Sequence, residues 1–329
     1  MTTKIDLDKA RSTLHQLYRD WSAEGAVERG ACYGPVVEDL VQRFGSVLSS
    51  SSAAAAPTMR SSAETADIVN HNTPPSPPNI LVPGAGLGRL VFDLARLGFA
   101  AEGNELSYHQ LFTSSYILNH TTSANQHSLY PFAHTFSNHL SRADQLLRVS
   151  IPDVHPGSCQ PLKGSMSMTT GDFTSVYAQD EYESRFDAVA TVFFVDTTPN
   201  LLAYVETMKR CLRRGGWWIN VGPLLWHFGE KEKEREKDDD GNDDDGDDDG
   251  QGKQKEQKTD MELDNKQTKI GSTGGSVQLT DQEVVKIVEA SGFEIELHET
   301  GKLSTGYVQN SKSMLLNTYR PSHWVARKL

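Results

Sequence analysis

The stretch ILVPGAGLGRLVFDLARLGFAAEGNE, residues 80–105, decides the fold. It opens with an apolar run at residues 80–82, which is typical of a strand buried on both faces of a parallel sheet. Three glycines follow, and apolar residues then recur at helical spacing until Gly98 ends the helix. A second strand at residues 99–101 leads to Glu105. The stretch therefore predicts a strand, a tight turn, a helix and a second strand, which together form a βαβ unit.

The glycine turn and the acid that follows it predict a ligand site. Gly84, Gly86 and Gly88 let the backbone approach a ligand closely, and Glu105 lies 21 residues after Gly84, where an acid accepts hydrogen bonds from ribose hydroxyls. A glycine turn alone is weak, because any tight turn from strand to helix can look this way. Here the strand, the helix and the acid agree, so a nucleotide or nucleoside site is favoured over a purely structural turn.

Composition excludes several classes of protein. The net charge of −12, from 32 Lys+Arg against 44 Asp+Glu, argues against nucleic acid as the main partner. Three cysteines lie far apart, as expected in a reducing compartment. The first 20 residues lack the apolar core of a signal peptide, and no apolar run approaches the roughly 18–20 residues of a membrane span. We expect a soluble intracellular protein in the cytoplasm, with the nucleus as a second location and no membrane partner.

The chain divides into three predicted parts. Helical periodicity at residues 5–21 and 36–47 predicts an N-terminal helical cap over 1–48, packed over the glycine turn. Residues 49–78 form a low-complexity linker rich in Ser, Ala and Pro. An α/β domain follows over 79–329, interrupted at 230–275 by an acidic insertion that offers no apolar face; nine aspartates fall within 238–249.

The second strong strand, at residues 186–195, ends in Asp196. Ligands of open α/β sheets bind beyond the carboxyl ends of the strands, so Asp196 stands where chemistry is expected. The alternative role of Asp196 is to cap the helix that follows. Further strands and helices alternate to the end of the chain. We predict an α/β fold with a doubly wound, mostly parallel, seven-stranded sheet and the N-terminal helical cap.

Histidines cluster loosely between the two strong strands, but they do not predict a metal site. The spacing lacks H-x-x-x-H and C-x-x-C patterns, and no acid accompanies the histidines. We therefore interpret them as surface or core histidines and expect no metal. They are His120, His127, His134 and His139.

Both an NAD-dependent dehydrogenase and an S-adenosylmethionine-dependent methyltransferase could use this βαβ unit. Residues 213–216, Arg-Arg-Gly-Gly, precede a Trp-rich strand, as in the late helix-to-strand turn of class I methyltransferases. Asp172 and Phe173 form an acid–aromatic pair placed to bind the adenine amine and stack against its ring. No second glycine turn and no Lys/Tyr or Cys/His pattern supports hydride transfer. Methyl transfer is favoured.

Several longer blocks make the chain resemble the carnosine N-methyltransferase family over nearly its whole length. They are residues 16–21 (QLYRDW), 80–89 (ILVPGAGLGR), 103–105 (GNE), 129–131 (LYP), 136–138 (FSN), 171–173 (GDF), 193–197 (FFVDT) and 218–228 (WINVGPLLWHF). The resemblance implies a class I methyltransferase fold with S-adenosylmethionine as cofactor. Spacing alone would leave Gln16 and Arg19 on an exposed helix face, whereas the resemblance makes them cofactor contacts. The full predicted set of cofactor contacts is Gln16, Arg19, Gly84, Gly86, Glu105, Asp172, Phe173 and Val192.

The resemblance also implies the acceptor and its contacts. The expected substrate is a small histidine-containing dipeptide, methylated on its imidazole as when carnosine becomes anserine. Asp196 and His227 are the predicted catalytic residues, and Tyr307 and Tyr319 complete the predicted substrate contacts. The family reads Ser-Thr-Tyr where this chain has one more residue, Gly306, before Tyr307.

Two further features bear on the acceptor. Trp226 stands where the family carries a smaller residue or a tyrosine, so the amide end of the substrate is expected to differ from that of carnosine. A carboxylate at Asp196 would fix the imidazole tautomer and stabilise the methylated imidazolium. The alternative functions are a protein-histidine methyltransferase, another small-molecule methyltransferase and a catalytically silent binding module. A homodimer is the assembly we expect.

Overall fold

The computed structural model describes residues 4–53, 76–226 and 277–329. Within these residues, seven strands form one sheet in the order β5-β2-β1-β6-β7-β9-β8, and β3 pairs with β4 in a small antiparallel ribbon. The strands of the large sheet are parallel except β9, which runs antiparallel to both of its neighbours. The strands are β1 Asn79–Pro83, β2 Ala100–Glu105, β3 His127–Leu129, β4 Val149–Ile151, β5 Ser165–Thr170, β6 Phe186–Val192, β7 Leu212–Gly222, β8 Phe293–Thr300 and β9 Ser322–Lys328.

Helices cover both faces of the large sheet. They are α1 Lys4–Trp21, α2 Ala26–Ala53, α3 Arg89–Leu97, α4 Tyr108–His120, α5 Arg142–Gln145, α6 Phe173–Tyr177, α7 Leu201–Cys211 and α8 Asp281–Ala290. None of the helices in the described ranges is both long and apolar enough to cross a membrane. The predicted fold class, a doubly wound and mostly parallel seven-stranded sheet, is confirmed.

Alternate side chains of the central strands divide the core between the two helical layers. Ile80 and Val82 of β1 join a cluster with α2 and α3, whereas Leu81 points to the other face and joins α6, α7 and α8. Both faces of β1 are therefore buried, which explains why its sequence is a continuous apolar run rather than an alternating one. Helix α2, which was predicted to form part of the N-terminal cap together with α1, thus also belongs to one of the two helical layers that pack on the sheet.

The chain reverses its direction across the sheet between β1 and β6. From β1 it moves outward through β2 to β5, and it then returns to β6 and moves the other way to β7. Ligands bind at such a reversal, beyond the carboxyl ends of the two strands. The glycine turn leaves β1 here, and residues 193–197 leave β6 beside it. The two turns touch, since a Cβ on Gly84 would lie 2.6 Å from the ring of Phe194.

Several elements differ from the predicted bounds. Helix α2 begins at Ala26 and continues through Pro35, because burial of Cys32, Val36 and Leu40 outweighs the weak helical signal around the proline. It also extends to Ala53, into the predicted linker. Strand β5 has a polar Ser/Met/Thr sequence, which pattern alone did not identify as a strand. It lies at the edge of the sheet, where one side lacks a neighbour.

The predicted strand at residues 186–195 is wrong at its carboxyl end. Strand β6 ends at Val192, and Phe193 has a positive φ of 53° that turns the chain out of the sheet. Asp196 therefore lies in a short 3-10 turn, Val195–Thr197. Most of the predicted linker and all of the predicted acidic insertion at 230–275 lie outside the described residues. The domain boundaries stay a prediction.

Candidate active site

A cavity of about 300 Å³ lies at the carboxyl edge of the sheet, where the chain reverses. The structure brings all eight predicted cofactor contacts to its wall. They are Gln16, Arg19, Gly84, Gly86, Glu105, Asp172, Phe173 and Val192. Tyr307, a predicted substrate contact, lines the same cavity. Residues that are distant from one another in sequence therefore converge on one cavity.

Glu105 ties the end of β2 to the glycine turn. Its Oε2 accepts a hydrogen bond from the Gly86 N–H at 2.9 Å, and its Oε1 accepts from the N–H groups of Leu106 at 2.9 Å and Ser107 at 2.8 Å. A carboxylate offers about four acceptor positions. Three backbone bonds leave about one position, on Oε2, for a ligand hydroxyl. Glu105 thus has a structural role as well as the predicted ligand role.

The turn itself depends on glycine at three positions. Gly84, Gly86 and Gly88 have φ values of 66°, 59° and 75°, in the left-handed region that glycine adopts without strain. The bare backbone also leaves room for two side-chain amides, since a Cβ on Gly86 would lie 3.4 Å from Gln110 Oε1 and 3.8 Å from Gln16 Oε1. Gln16 Oε1 is buried and has no hydrogen-bond partner among the described residues. A buried acceptor of this kind calls for a ligand donor.

Arg19 is a charged group held in a fixed position beside that acceptor. Its Nε and Nη2 donate to the two carboxylate oxygens of Asp20 at 2.7 and 3.1 Å, and Nη2 also donates to the hydroxyl of Tyr33 at 3.0 Å. The guanidinium carbon lies over the rings of Tyr33 and Tyr307, at 5.5 and 5.4 Å from their centroids. Burial opposes the charge, but Asp20 and the tyrosines outweigh it and raise the pKa of Arg19 well above its ordinary value.

Helix α1 is attached to the glycine turn through its last residue. Trp21 is fully buried, and its Nε1 donates to the carbonyl oxygen of Leu87 at 3.1 Å. Arg89 stacks on the Trp21 ring at 5.0 Å and donates to Asp20 O and Asp153 Oδ1, both at 2.7 Å. These contacts explain how Gln16 and Arg19, distant in sequence from the turn, reach the cavity that it lines.

Asp172 and Phe173 lie at the start of α6, on the neighbouring wall. Asp172 caps this helix, and its Oδ1 accepts from Thr174 Oγ1 at 2.7 Å and from Ser175 N and Oγ at 2.9 Å. Burial raises the pKa of Asp172, but these hydrogen bonds outweigh it, so the pKa lies below the ordinary value. Asp172 is therefore ionised near neutral pH.

The ring of Phe173 is less available than predicted. It is 3% exposed and packs edge-on against Phe194 and Tyr204, with centroid distances of 5.7 and 5.4 Å. Tyr204 lines the cavity and stacks on Phe194 at 5.0 Å with an interplanar angle of 9°. Little of the Phe173 face is left to stack on a base, because the core already covers the ring.

Asp196 is buried in the turn that follows β6. It is 3% exposed, and its Oδ2 accepts a hydrogen bond from the Leu225 N–H at 2.8 Å. The alternative role of capping α7 is wrong, because Asn200 is the cap and accepts from the Ala203 N–H at 3.2 Å. Its neighbours Phe193, Phe194 and Thr197 line the cavity, but Asp196 itself does not.

The two predicted substrate tyrosines flank the ring of Phe193. Tyr307 stacks on it at a centroid distance of 4.9 Å, and Tyr319 meets it edge-on at 6.0 Å. Burial raises the pKa of Tyr307, with smaller contributions from the charges of Asp20 and Asp196, and Arg19 opposes this. Tyr307 thus contacts Arg19, a predicted cofactor contact, and Phe193, in the turn that also carries Asp196.

The last predicted site residue, His227, lies outside the described residues. Trp226 precedes it, and the structure contradicts the expectation that its larger ring alters the substrate pocket. The indole packs into the hydrophobic core, and its Nε1 donates to Leu279 O at 2.8 Å. It does not line the cavity. In the part of the chain that the structure describes, no group of three or more His, Cys, Asp or Glu could hold a metal ion.

Among the cavity-lining residues that had no predicted role are Tyr33, Gln110, Phe193 and Tyr204. Gln110 lies in the first turn of α4, immediately after the carboxyl end of β2, and this position could have identified it. Tyr33 and Tyr204 lie inside helices, and no sequence spacing relates them to the glycine turn. Only tertiary packing brings them to the cavity.

The whole chain matches a known family. The model of the family described as "Carnosine N-methyltransferase" matches residues 1–56 and 61–329. A carnosine N-methyltransferase from Schizosaccharomyces pombe is 37% identical over 321 residues, which cover 98% of this chain and 71% of the relative. The chain belongs to the carnosine N-methyltransferase family. The predicted family is thus confirmed. The predicted class of enzyme, an S-adenosylmethionine-dependent N-methyltransferase, is confirmed with it.

Other similarities set the extent of the match. The carnosine N-methyltransferase of Mus musculus is 35% identical over 324 residues, which cover 98% of this chain but 64% of the relative. This chain therefore spans about two thirds of the length of these relatives. Among solved structures, magnesium protoporphyrin IX methyltransferase from Synechocystis with bound SAH has 12% identity and a TM-score of 0.41, covering 99% of this chain and 95% of that one.

Proposed function

We propose that this chain transfers a methyl group from S-adenosylmethionine to an imidazole nitrogen of a small histidine-containing peptide, of the carnosine type. One observation carries the proposal: Phe193 and Tyr307, which stack on each other, line the same cavity as the predicted cofactor contacts, and Asp196 lies in the turn that follows Phe193. This arrangement supports a methyl donor and an acceptor bound side by side. The family to which the chain belongs supports the same activity.

The residues of the cavity fit the cofactor. Glu105 offers an acceptor position to a ribose hydroxyl, and the ionised Asp172 offers one to the adenine amine. Arg19 suits the carboxylate of the methionyl part, and the unpartnered Gln16 Oε1 suits its ammonium. When bound, S-adenosylmethionine would supply a methyl group on a positively charged sulfur, which would leave as a neutral thioether, S-adenosylhomocysteine, when a nucleophile takes the methyl.

The acceptor side has to orient a nucleophile that is already competent. The pKa of an imidazolium is near 6.5, so at pH 7 most imidazole is already neutral and nucleophilic. It therefore needs no strong base. It does need the correct tautomer. The Asp196 carboxylate would accept the N–H of one ring nitrogen, which directs the lone pair of the other nitrogen toward the methyl carbon, and it would stabilise the imidazolium product. Burial of Asp196 in a turn fixed by the Leu225 N–H supports this role.

The aromatic residues give the site a preference for a flat ring. Phe193 and Tyr307 stack, and Tyr319 stands edge-on to Phe193. Aromatic rings bind one another in stacked or edge-on arrangements at centroid distances of about 4.5–7 Å. An imidazole entering beside Phe193 would thus meet an aromatic surface and a carboxylate together. His227 stays a prediction for this site, as do the homodimer and the cytoplasmic location.

A panel of acceptors tests the proposal. The protein is incubated with S-adenosylmethionine and one acceptor at a time: carnosine, other histidine-containing dipeptides, free histidine, or an unfolded protein rich in histidine. The masses of the products are measured by mass spectrometry. We expect one added methyl group on the dipeptides and little on the protein. Methylation of protein histidine with none on dipeptides would identify the protein-histidine alternative. Absence of both products, with S-adenosylmethionine bound, would identify a silent binding module.

A further inference from the structure

Residues 304–309 form the loop that carries Tyr307 into the cavity. The ring of Tyr307 stacks on Phe193, and its centroid lies 5.4 Å from the guanidinium carbon of Arg19. Apart from the bridge residue Thr305, this loop has no helix or strand to hold it. Some contact must therefore fix the backbone of this loop.

Glu28, in the first turn of α2, makes that contact. Its Oε1 accepts a hydrogen bond from the Val308 N–H, and its Oε2 accepts from the Gln309 N–H at 3.1 Å. Two successive backbone N–H groups thus converge on one carboxylate, an arrangement that forms an anion-binding nest in many loops. The pair immediately follows Tyr307, so Glu28 fixes the backbone next to the residue that enters the cavity.

The backbone around this contact needs to be held. Val308 has a positive φ of 50°, which a β-branched residue seldom adopts without support. Gly306 passes so close to α2 that a Cβ there would lie 3.1 Å from Glu28 Oε2. Glycine at position 306 therefore lets the loop pass against the carboxylate, and the carboxylate supports the unusual conformation of Val308.

The start of the loop is fixed separately. Thr305 and Tyr319 exchange two backbone hydrogen bonds, at 3.1 and 2.9 Å, and Cys32 Sγ of α2 lies 3.1 Å from Thr305 Oγ1. These contacts hold the loop before Gly306, and Glu28 holds it after Tyr307. Removing Glu28 would free only the second attachment, so the change should be confined to Tyr307 and the residues that follow it.

We propose that Glu28 is a positioning residue for the methyl acceptor: it sets the Tyr307 side chain against Phe193, and so governs acceptor affinity, although it lines no part of the cavity. The inference rests on the proposed function, because it assigns Tyr307 to the acceptor. Arg19 is held independently by Asp20 and Tyr33. Cofactor affinity should therefore depend on Glu28 much less than acceptor affinity does.

Steady-state kinetics with the accepted dipeptide test the proposal. Glu28→Ala removes both acceptors, and we expect the KM for the dipeptide to rise roughly tenfold or more, since hydrogen bonds to a charged group are the stronger kind. Glu28→Gln keeps a neutral acceptor oxygen and should raise the KM by roughly two- to fivefold. The Kd for S-adenosylmethionine should stay within about threefold in both, for the reason that Arg19 keeps its other partners. Glu38→Gln, an exposed change on the same helix, is the matched control and should alter neither constant.

A double-mutant cycle separates positioning from general stability. If Glu28 acts through the ring of Tyr307, Glu28→Ala combined with Tyr307→Ala should be little worse than the more damaging single change. Effects that multiply, or a lowered melting temperature with an unchanged KM, would show that Glu28 only supports the fold and would overturn the proposal.

Hydrogen exchange provides a readout that does not depend on activity. Glu28→Ala should increase deuterium uptake in the peptide that contains Val308 and Gln309, whereas Glu38→Gln should not. Unchanged uptake would overturn the proposal even if no acceptor is found. Conversely, increased uptake in a protein that methylates no imidazole would leave Glu28 as the support of this loop and would refute the proposed function instead.

Discussion

The two sides of the cavity are built in different ways. The glycine side consists of the turn at residues 84–88 and Glu105, joined by a βαβ unit and by hydrogen bonds from backbone N–H groups. The predicted acceptor side consists of Phe193 and Asp196, in the turn that follows β6, and of Tyr307, which comes from a distant loop and stacks on Phe193. The residues of one side are close together in sequence, whereas those of the other side are brought together by folding. Substitutions on the acceptor side can therefore leave the cofactor side unchanged.

The largest effect should come from removing the charge on the acceptor side. Asp196→Asn keeps a hydrogen-bond acceptor but loses the charge that stabilises the imidazolium, so kcat should fall by roughly 10²–10⁴-fold. The Kd for S-adenosylmethionine should change by no more than a few-fold. Stopped assays and calorimetry measure the two quantities. Asn200→Ala is the control, because it removes the true cap of α7 and should lower the melting temperature without this loss of turnover. Near-normal turnover of Asp196→Asn would remove Asp196 from the catalytic residues.

The corresponding change on the glycine side should affect binding instead of turnover. Glu105→Ala removes an acceptor for the ribose and the bonds that hold the turn, so cofactor binding should weaken by about 1–3 kcal/mol. Calorimetric titration with S-adenosylmethionine gives the value directly. Glu102→Gln serves as the comparison, since Glu102 bonds to Tyr177 and Thr169 and does not line the cavity. The expectation fails if the two variants bind the cofactor equally well.

Acid should loosen helix α1, which supplies Gln16 and Arg19. His15 packs against His134 at a ring distance of 4.9 Å, and burial followed by the charge of His134 lowers the pKa of His15 below 6.5. The unfolded chain therefore binds a proton at His15 more readily than the folded protein does. Protonation of His15 leaves the free energy of unfolding unchanged well above pH 6.5, and lowers it as the pH falls from 6.5 toward the pKa that His15 has in the folded protein.

Melting temperatures measured from pH 7.5 to 5.5 test this. The melting temperature of the wild type should fall over this range, and that of His15→Gln should fall less. His120→Gln, a change at an exposed histidine, should follow the wild type. If the His15 variant loses as much on acidification as the wild type does, the source of the acid sensitivity lies elsewhere.

The smallest effect should come from replacing the acidic segment at residues 230–275. Trp226 precedes this segment and Leu279 follows it, and the Trp226 Nε1 donates a hydrogen bond to the Leu279 carbonyl oxygen at 2.8 Å. The chain on either side of the segment is thus held together by its own contact. Replacing residues 230–275 with a short Gly/Ser linker should therefore leave kcat/KM and the melting temperature nearly unchanged. A tenfold loss of kcat/KM, or a clear drop in melting temperature, would mean that this segment contributes to the site.

The two sides of the cavity also differ in how far the sequence predicts them. The glycine side follows from local rules, because apolar periodicity, glycine spacing and an acid at a strand end are all visible within residues 80–105. Tyr33 and Glu28 obey no such rule, since their partners Arg19 and residues 308–309 reach them only after folding. The end of β6 was misplaced for a related reason. The apolar run continues past Val192, but Phe193 turns out of the sheet to meet Tyr307.

Transfer of an isotopically labelled methyl group tests the central claim most directly. The protein is mixed with carnosine and S-adenosylmethionine carrying a ¹³C-labelled methyl group, and the product is examined by NMR. We expect the label on one imidazole nitrogen, and we expect it to be nearly absent with Asp196→Asn over the same time. A label on the amino group or on the protein, or no transfer from bound S-adenosylmethionine, would contradict the account of a cavity that presents an imidazole to the methyl donor.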